Sequence, residues 1–405
     1  MKIAFSLEDM HLGGGPKFVL NLGRELVEAG HSVTVVTQQH GDWWREIAST
    51  GMHGYCQPQS SLASIAGQAH RLAHYWNQEA FDVLFINIGG LNYRAQSALH
   101  LVNDCTAIVP ILHGAWKELY HISASLTPLW NVAVGVGPAV QRGAAAHMPY
   151  KPVVSIPNGI DIPSDAHMRT RADWRSPLRL LFVGRMIDAH KGILRLPKIL
   201  AACRARGLPV HLTVVGDGPD RAALENEFAA LDLQDMVTMR GALAPADATA
   251  AMLEHHVLLL PSNTEGLPLV MLEAMAAGCP VIASHLPGIT DAAIDDGVSG
   301  RLTAPNDIER WASHIADMLD PDVWHSHSRA AAARARARFS YAVMTQAYLD
   351  LLDGIARGEF PLAQSRRSFP SPFGLRDRFP LRLQQYLPVG IVPRLRRSLS
   401  SRRLV

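Results

Sequence analysis

The sequence predicts an α/β protein built as two doubly wound domains, each a parallel sheet clothed by helices on both faces. Three observations predict it. Short β-branched apolar runs alternate with one-sided helical patterns; the alternation breaks at the Pro- and Gly-bearing stretch IPNGIDIPSD (Ile156–Asp165) and then starts again; and several runs are apolar without interruption, as strands covered on both faces are. A chain of 405 residues, 48% apolar and 18% charged, is long enough for two cores and excludes a disordered or collagen-like protein.

In the first half the strand candidates are Lys2–Leu7, Ser32–Thr37, Asp82–Asn87, Ala107–Leu112, Val132–Gly137 and Val153–Pro157. Between the first two lies GPKFVLNLGRELVEAGH, whose Val19, Leu20, Leu22, Leu26 and Val27 form one apolar face and whose Gly30 is a C-terminal stop. That β-loop-α-β unit implies a right-handed crossover. The second series is Arg179–Gly184, His211–Gly216, Val237–Arg240, Val257–Pro261 and Pro280–Ser284. After Asp307 the chain is helical, and Ser340 is placed to cap a last helix. The expected organisation is a first domain over 1–158, a second over 159–340, a helix over 341–360 and a tail over 361–405. Ligands of such folds bind beyond the carboxyl ends of the strands, so two facing domains put the site in the cleft between them.

The net charge of +2 hides an asymmetry: from Pro361 onward there are ten Arg and one acid, Asp377, leaving the body mildly acidic and a poor binder of nucleic acid. Two readings of the tail stand, Arg among apolar residues lying on an anionic membrane surface and a partly disordered extension that packs nowhere. No apolar run reaches the length of a membrane span, and Glu8 and Asp9 interrupt what would be the core of a signal peptide. Four cysteines without metal spacing fit reduced thiols in a cytoplasmic protein.

The most specific stretch is PSNTEGLPLVMLEAMAAGCPVIAS. A buried strand ends in a polar loop carrying Glu265, and Glu273 follows two turns into a helix whose free N-terminal amides suit a diphosphate. From spacing alone, a capping role for Glu265 with a solvated Glu273 stands equally beside a ligand-binding role. Gly13-Gly14-Gly15-Pro16, between the first strand and first helix, lets backbone N–H groups approach an anion; it departs from a dinucleotide fingerprint because Phe18 stands where the third Gly belongs and Gln38 and Gln39, not an acid, follow the second strand. His113 ends a strand ahead of Gly114.

EGLPLVMLE resembles the Glu-x7-Glu signature of retaining GT-B glycosyltransferases, particularly glycosyltransferase family 4, and LLLPSNTEG, IPNGID, LLFVGRMIDAHKG and LTVVGDGPDR are similar to that family's phrasing over most of the chain. The resemblance implies two Rossmann-like domains, an acceptor domain followed by a nucleotide-sugar domain, with the final helix returning to the first. It implies that Glu265 contacts the hydroxyls of the donor sugar and Glu273 those of the nucleotide ribose. Arg185 and Lys191 resemble the basic pair on the diphosphate, with five residues between them, one more than the commoner form. Gly216 and Gly218 would turn beneath the nucleotide, and the segment around Gly241 would read the base through its backbone. Gly266, Leu267, Leu269 and Val270 would present the helix N-terminus to the donor, and Gly14 and Gly15 would face its phosphates. His113 matches the histidine near the reacting carbon.

The resemblance further implies transfer of a hexose with retention by front-face substitution, in which the departing phosphate oxygen takes the acceptor's proton and cations with helix amides stabilise the leaving diphosphate. The donor, UDP- or GDP-linked, is then a substrate, with no cofactor and no metal: the only Asp-x-Asp, Asp320-Pro321-Asp322, reads as a loop remote from the motifs. The acceptor expected is a glycan or lipid-linked oligosaccharide of a polysaccharide pathway, and the basic tail makes a peripheral position on the inner face of the cell membrane an expectation. A nucleotide-sugar epimerase and a non-catalytic sugar-nucleotide-binding subunit are the rival readings.

Overall fold

The computed structural model describes residues 1–11, 13–58, 63–88, 93–163, 177–362 and 364–369. Its internal contacts divide the chain into two compact units: Met1–Val136 with Val140–Ile156 and the chain from Thr345, and Gly137–Ala139 with Pro157–Met344.

The first unit holds a seven-stranded, wholly parallel sheet of β1 (Lys2–Ser6), β2 (Ser32–Thr37), β3 (His53–Cys56), β4 (Val83–Ile88), β5 (Ala107–Leu112), β6 (Ala133–Gly135) and β7 (Val153–Ser155), in the order β3-β2-β1-β4-β5-β6-β7. The order reverses between β1 and β4, and Phe5 stacks on Phe85 across that junction at 5.0 Å between centroids. The helix Gly14–Glu28 buries Phe18, Val19, Leu20, Leu22, Gly23 and Leu26 as its apolar spacing dictates, and Gly23 makes room for the Met52 side chain, which a Cβ there would displace. Tyr348, midway along the helix Tyr341–Ala356, is fully buried in this unit against Phe18 and Phe85. Ser340 serves as that helix's cap, its Oγ accepting from Val343 N at 3.4 Å.

The second unit holds six parallel strands, β8 (Leu178–Val183), β9 (Val210–Val215), β10 (Val237–Gly241), β11 (Val257–Leu260), β12 (Val281–Ser284) and β13 (Gly300–Thr303), in the order β10-β9-β8-β11-β12-β13. Its core joins Phe182, Leu196, Leu212, Leu259 and Ile282 with Trp311 and Trp324 from the C-terminal helices. Here the reversal falls between β8 and β11. The eleven strands expected from sequence are all present, and β3 and β13 are additional. Both are edge strands: HGYC and GRLT are short, contain Gly and have no continuous apolar run, because each pairs on one side only.

Two expectations need correction. Asp320 is the N-cap of the helix Pro321–Phe339, its carboxylate accepting from the amides of Asp322 and Val323, so the Asp-x-Asp is a helix start rather than a loop. The basic segment does not begin as a loose extension. Arg366 is fully buried in the first unit, donating from Nε to Leu129 O (2.7 Å), from Nη1 to Asn103 O (2.7 Å) and from Nη2 to Asn131 Oδ1 (2.8 Å), while its backbone N–H donates to Asp104 (3.0 Å). Burial pushes its pKa down to about 10, so it remains charged at neutral pH. The tail beyond Phe369 lies outside the described residues. Among the described residues no helix is long and apolar enough to cross a membrane, and the four cysteines are free.

Candidate functional site

Side chains that end β8 and β11 straddle the reversal of the second sheet, where a doubly wound fold opens a crevice at its strand ends. After β8 the chain runs Gly184-Arg185-Met186 into a single helical turn, Asp188–Lys191, closed by Gly192 in the left-handed region (φ 59°). After β11 it runs Pro261–Pro268 into the helix Leu269–Ala276. The two loops are zipped together. Asn263 N and Thr264 N donate to His190 O, Asn263 Nδ2 donates to Asp188 O (3.0 Å), and Arg195 Nη1 donates to Pro261 O (2.9 Å). Gly192 approaches Pro261 O so closely that no Cβ fits.

This zipper brings Lys191 to Glu265. Lys191 Nζ lies 2.6 Å from Glu265 Oε1, and Ser262 Oγ donates to the same oxygen at 2.7 Å. The pair is largely enclosed, its side chains 22% and 9% exposed. The Asp188–Lys191 turn is tied down at Asp188, whose N–H donates to Asp220 Oδ2 (2.7 Å) and whose Oδ1 accepts from Leu194 N (2.9 Å). Glu265 does not cap the next helix: its N-cap is Pro268, with no side-chain bond, and the amides of Leu269 and Val270 precede the first amide that donates within the helix, Met271 N to Pro268 O (3.1 Å). Those amides and the exposed Arg185 are donors open to a ligand. Gly266 and Leu267 are buried in the loop, and Asn158 Nδ2 reaches Leu267 O (3.4 Å). Glu273, on the second turn of the helix, is partly buried.

Gly216 and Gly218 lie beside the same crevice for a packing reason. Gly216 has φ 134° and abuts the Gly184 carbonyl, Gly218 abuts the Met186 backbone, and Met186 N donates to Asp217 O (2.8 Å). Gly241 (φ 69°) ends β10 after a register shift, and its carbonyl accepts from Gly216 N at 2.7 Å. Thus the ends of β8, β9 and β10 meet backbone to backbone, without side chains between them.

In the first unit His113 follows β5, and its Nε2 is 2.9 Å from Asn87 Oδ1 at the end of β4. Phe18, from the helix Gly14–Glu28, meets the imidazole edge-on at 5.1 Å. Most of the ring is enclosed although some surface remains accessible, and burial pushes its pKa down to about 4, leaving it neutral at physiological pH. The helix carrying Gly14 and Gly15 has no side-chain cap, and a Cβ on Gly15 would meet nothing within 4 Å. Its fold therefore does not demand a glycine there, and an unhindered backbone is what an approaching ligand would need.

Sequence reasoning thus missed Ser262, Asn263, Asp188 and Asn87. The first three fall inside quoted motifs, and Asn87 carried the one available signal, a polar residue ending a buried parallel strand.

Residues 12–163 match the family model described as Glycosyltransferase Family 4, and 177–321 the model described as Glycosyl transferases group 1, together most of the chain. The chain belongs to the glycosyltransferases, with a family 4 first domain and a group 1 second domain. It is 25% identical over 392 residues to WcaL of Salmonella typhimurium, which carries the name of a colanic acid biosynthesis glycosyltransferase, with 80% of this chain and 93% of that protein covered. It is 28% identical over 323 residues to a phosphatidyl-myo-inositol mannosyltransferase of Mycolicibacterium smegmatis, covering 76% of this chain and 82% of that one. In fold it is similar to Anabaena HepE in complex with UDP-glucose, at TM-score 0.74 and 18% identity, with 87% and 100% of the two chains covered. Sucrose-phosphate synthase from Thermosynechococcus elongatus aligns at TM-score 0.71 and 19% identity over 88% and 99%. Two parallel-sheet Rossmann-like domains of GT-B type are thereby shown.

Proposed function

We propose that this glycosyltransferase moves a hexose from a nucleotide-sugar donor to a glycan or lipid-linked acceptor, with retention at the anomeric carbon, by front-face substitution and without a metal ion. The observation that carries the reading is the Lys191–Glu265 pair at the reversal of the second sheet, ringed by glycine turns and the open amides of Leu269 and Val270. A carboxylate beside a cation fits a ligand that has hydroxyls next to phosphates. Lys191, Arg185 and the helix amides stabilise the charge growing on the departing diphosphate. Glu265 keeps Oε2 for the donor sugar's hydroxyls, while Glu273 takes the ribose. His113, neutral, hydrogen-bonds the donor sugar or its phosphate. The UDP and UDP-glucose complexes of the HepE neighbour make UDP-linked donors the first to test, with GDP-mannose beside them because a relative is named a mannosyltransferase.

Thermal-shift screening against sugar nucleotides, followed by NMR of the product's anomeric proton, tests the reading. A donor that raises Tm and yields a product of unchanged anomeric configuration is expected, in EDTA as in buffer. Absence of binding to every sugar nucleotide, or an inverted product, contradicts it; activity lost to EDTA and regained with Mn²⁺ removes the metal-free element. Donor incubated without acceptor separates transfer from epimerisation. The Arg-rich segment beyond Phe369 is proposed to meet anionic lipid, and sedimentation with phosphatidylglycerol vesicles measures that directly.

A further inference from the structure

Asn87 sits at the end of β4, 8% exposed, and its Oδ1 faces His113 Nε2 at 2.9 Å. Its Nδ2 is buried with no hydrogen-bond partner. A buried amide nitrogen left unpaired is costly, so the side chain is held in this place against a stability penalty. The imidazole is confined in two directions, by the Asn87 amide in its plane and by the Phe18 ring against its edge. The only cause shifting the ring's pKa is burial, so no neighbouring charge sets its protonation. A neutral imidazole has one N–H and one lone pair, and which nitrogen carries which is decided by the partner of the other.

We propose that Asn87 is a positioning residue: its Oδ1 accepts the Nε2–H of His113 and thereby fixes the neutral tautomer whose Nδ1 lone pair is free to accept a substrate hydroxyl. The pairing turns a buried histidine into a hydrogen-bond acceptor of fixed direction, suited to a sugar hydroxyl and unsuited to a phosphate oxygen. It deepens the reading above, on which it rests, by assigning the histidine to the sugar rather than to the diphosphate. If the amide were turned over, Nδ2–H would donate to Nε2, the tautomer would be reversed, and Nδ1–H would suit a phosphate instead.

The test is ¹⁵N NMR of the imidazoles in the full chain without donor, His113 being identified from the spectrum of His113→Gln. The Nε2–H tautomer is expected in the parent protein. In Asn87→Leu the fixed tautomer gives way to a mixture, with kcat lowered by at least about tenfold and the KM for donor little changed. In Asn87→Asp, whose carboxylate accepts the same N–H, the tautomer persists and at pH 9, where the imidazole is neutral, transfer recovers most of the way. An Nδ1–H tautomer in the parent, or an unchanged tautomer and kcat in Asn87→Leu, overturns the proposal. Should Asn87→Leu not fold, the parent and Asn87→Asp spectra decide alone. Because the spectra need neither donor nor turnover, failure to find any transfer sinks the functional reading without touching this result.

Discussion

Replacing Lys191 by Met and Glu265 by Gln, singly and together, measures what the ion pair contributes and what it is for. At 2.6 Å, with an effective dielectric constant near 20, the gross attraction is about 6 kcal/mol. Side chains 22% and 9% exposed have given up much of their hydration, so the net coupling falls between that of surface pairs and that of fully buried ones, about 1–3 kcal/mol. Urea unfolding of the four proteins gives the coupling as a double-mutant cycle. The ligand side has the opposite asymmetry. Lys191→Met loses a diphosphate cation, and transfer is expected to fall about 10²- to 10³-fold with weaker UDP binding. Glu265→Gln releases Lys191 to the phosphates and removes a nearby negative charge, so it is expected to bind UDP at least as tightly as the parent while losing transfer. A coupling below about 0.5 kcal/mol would show that the pair is incidental to the fold. Equal weakening of UDP binding in both single variants would refute a lysine shared between carboxylate and diphosphate.

Arg366→Ala strands Leu129 O and takes one donor each from Asn103 O and Asn131 Oδ1, which keep Thr106 N and Ile108 N, and with the cavity it leaves is expected to cost about 2–4 kcal/mol in urea unfolding. Gly216→Ala must hold φ 134° while its methyl meets the Gly184 carbonyl, so a loss of at least about 2 kcal/mol and of nucleotide affinity is expected, measured by Tm and calorimetry. His113 has a folded pKa near 4, below its unfolded value of 6.5, so the unfolded chain binds its proton first as pH falls. Its contribution to stability is full above pH 6.5 and is lost progressively down to pH 4, by about 3 kcal/mol in all; that stretch of acid sensitivity is absent in His113→Gln if the assignment is right.

The parallel strands were readable because burial on both faces leaves runs such as Ala107–Leu112 and Val257–Leu260 with no polar break. The edge strands β3 and β13 were not, since a strand paired on one side needs no such run and HGYC looks like a loop. Motif residues in the loops and turns that follow strands, Glu265 and Lys191 among them, were found because a fixed spacing marks them. What holds them was hidden: Ser262 and Asp188 act through a hydroxyl and a carboxylate whose partners are set by the loop zipper, a tertiary fact. Arg366 was concealed among ten arginines of one segment, because composition cannot distinguish a guanidinium that faces lipid from one that plugs a core.

That plug sets a rule for anyone trimming the chain. Cutting ahead of Pro361 to discard the basic extension would also pull out Arg366, uncovering the main-chain oxygen of Leu129 and taking one of two donors from that of Asn103, which keeps Thr106 N. A boundary placed after Phe369 keeps the stopper seated, so a shortened protein of that length isolates the effect of the remaining arginines from damage to the lobe they hang on.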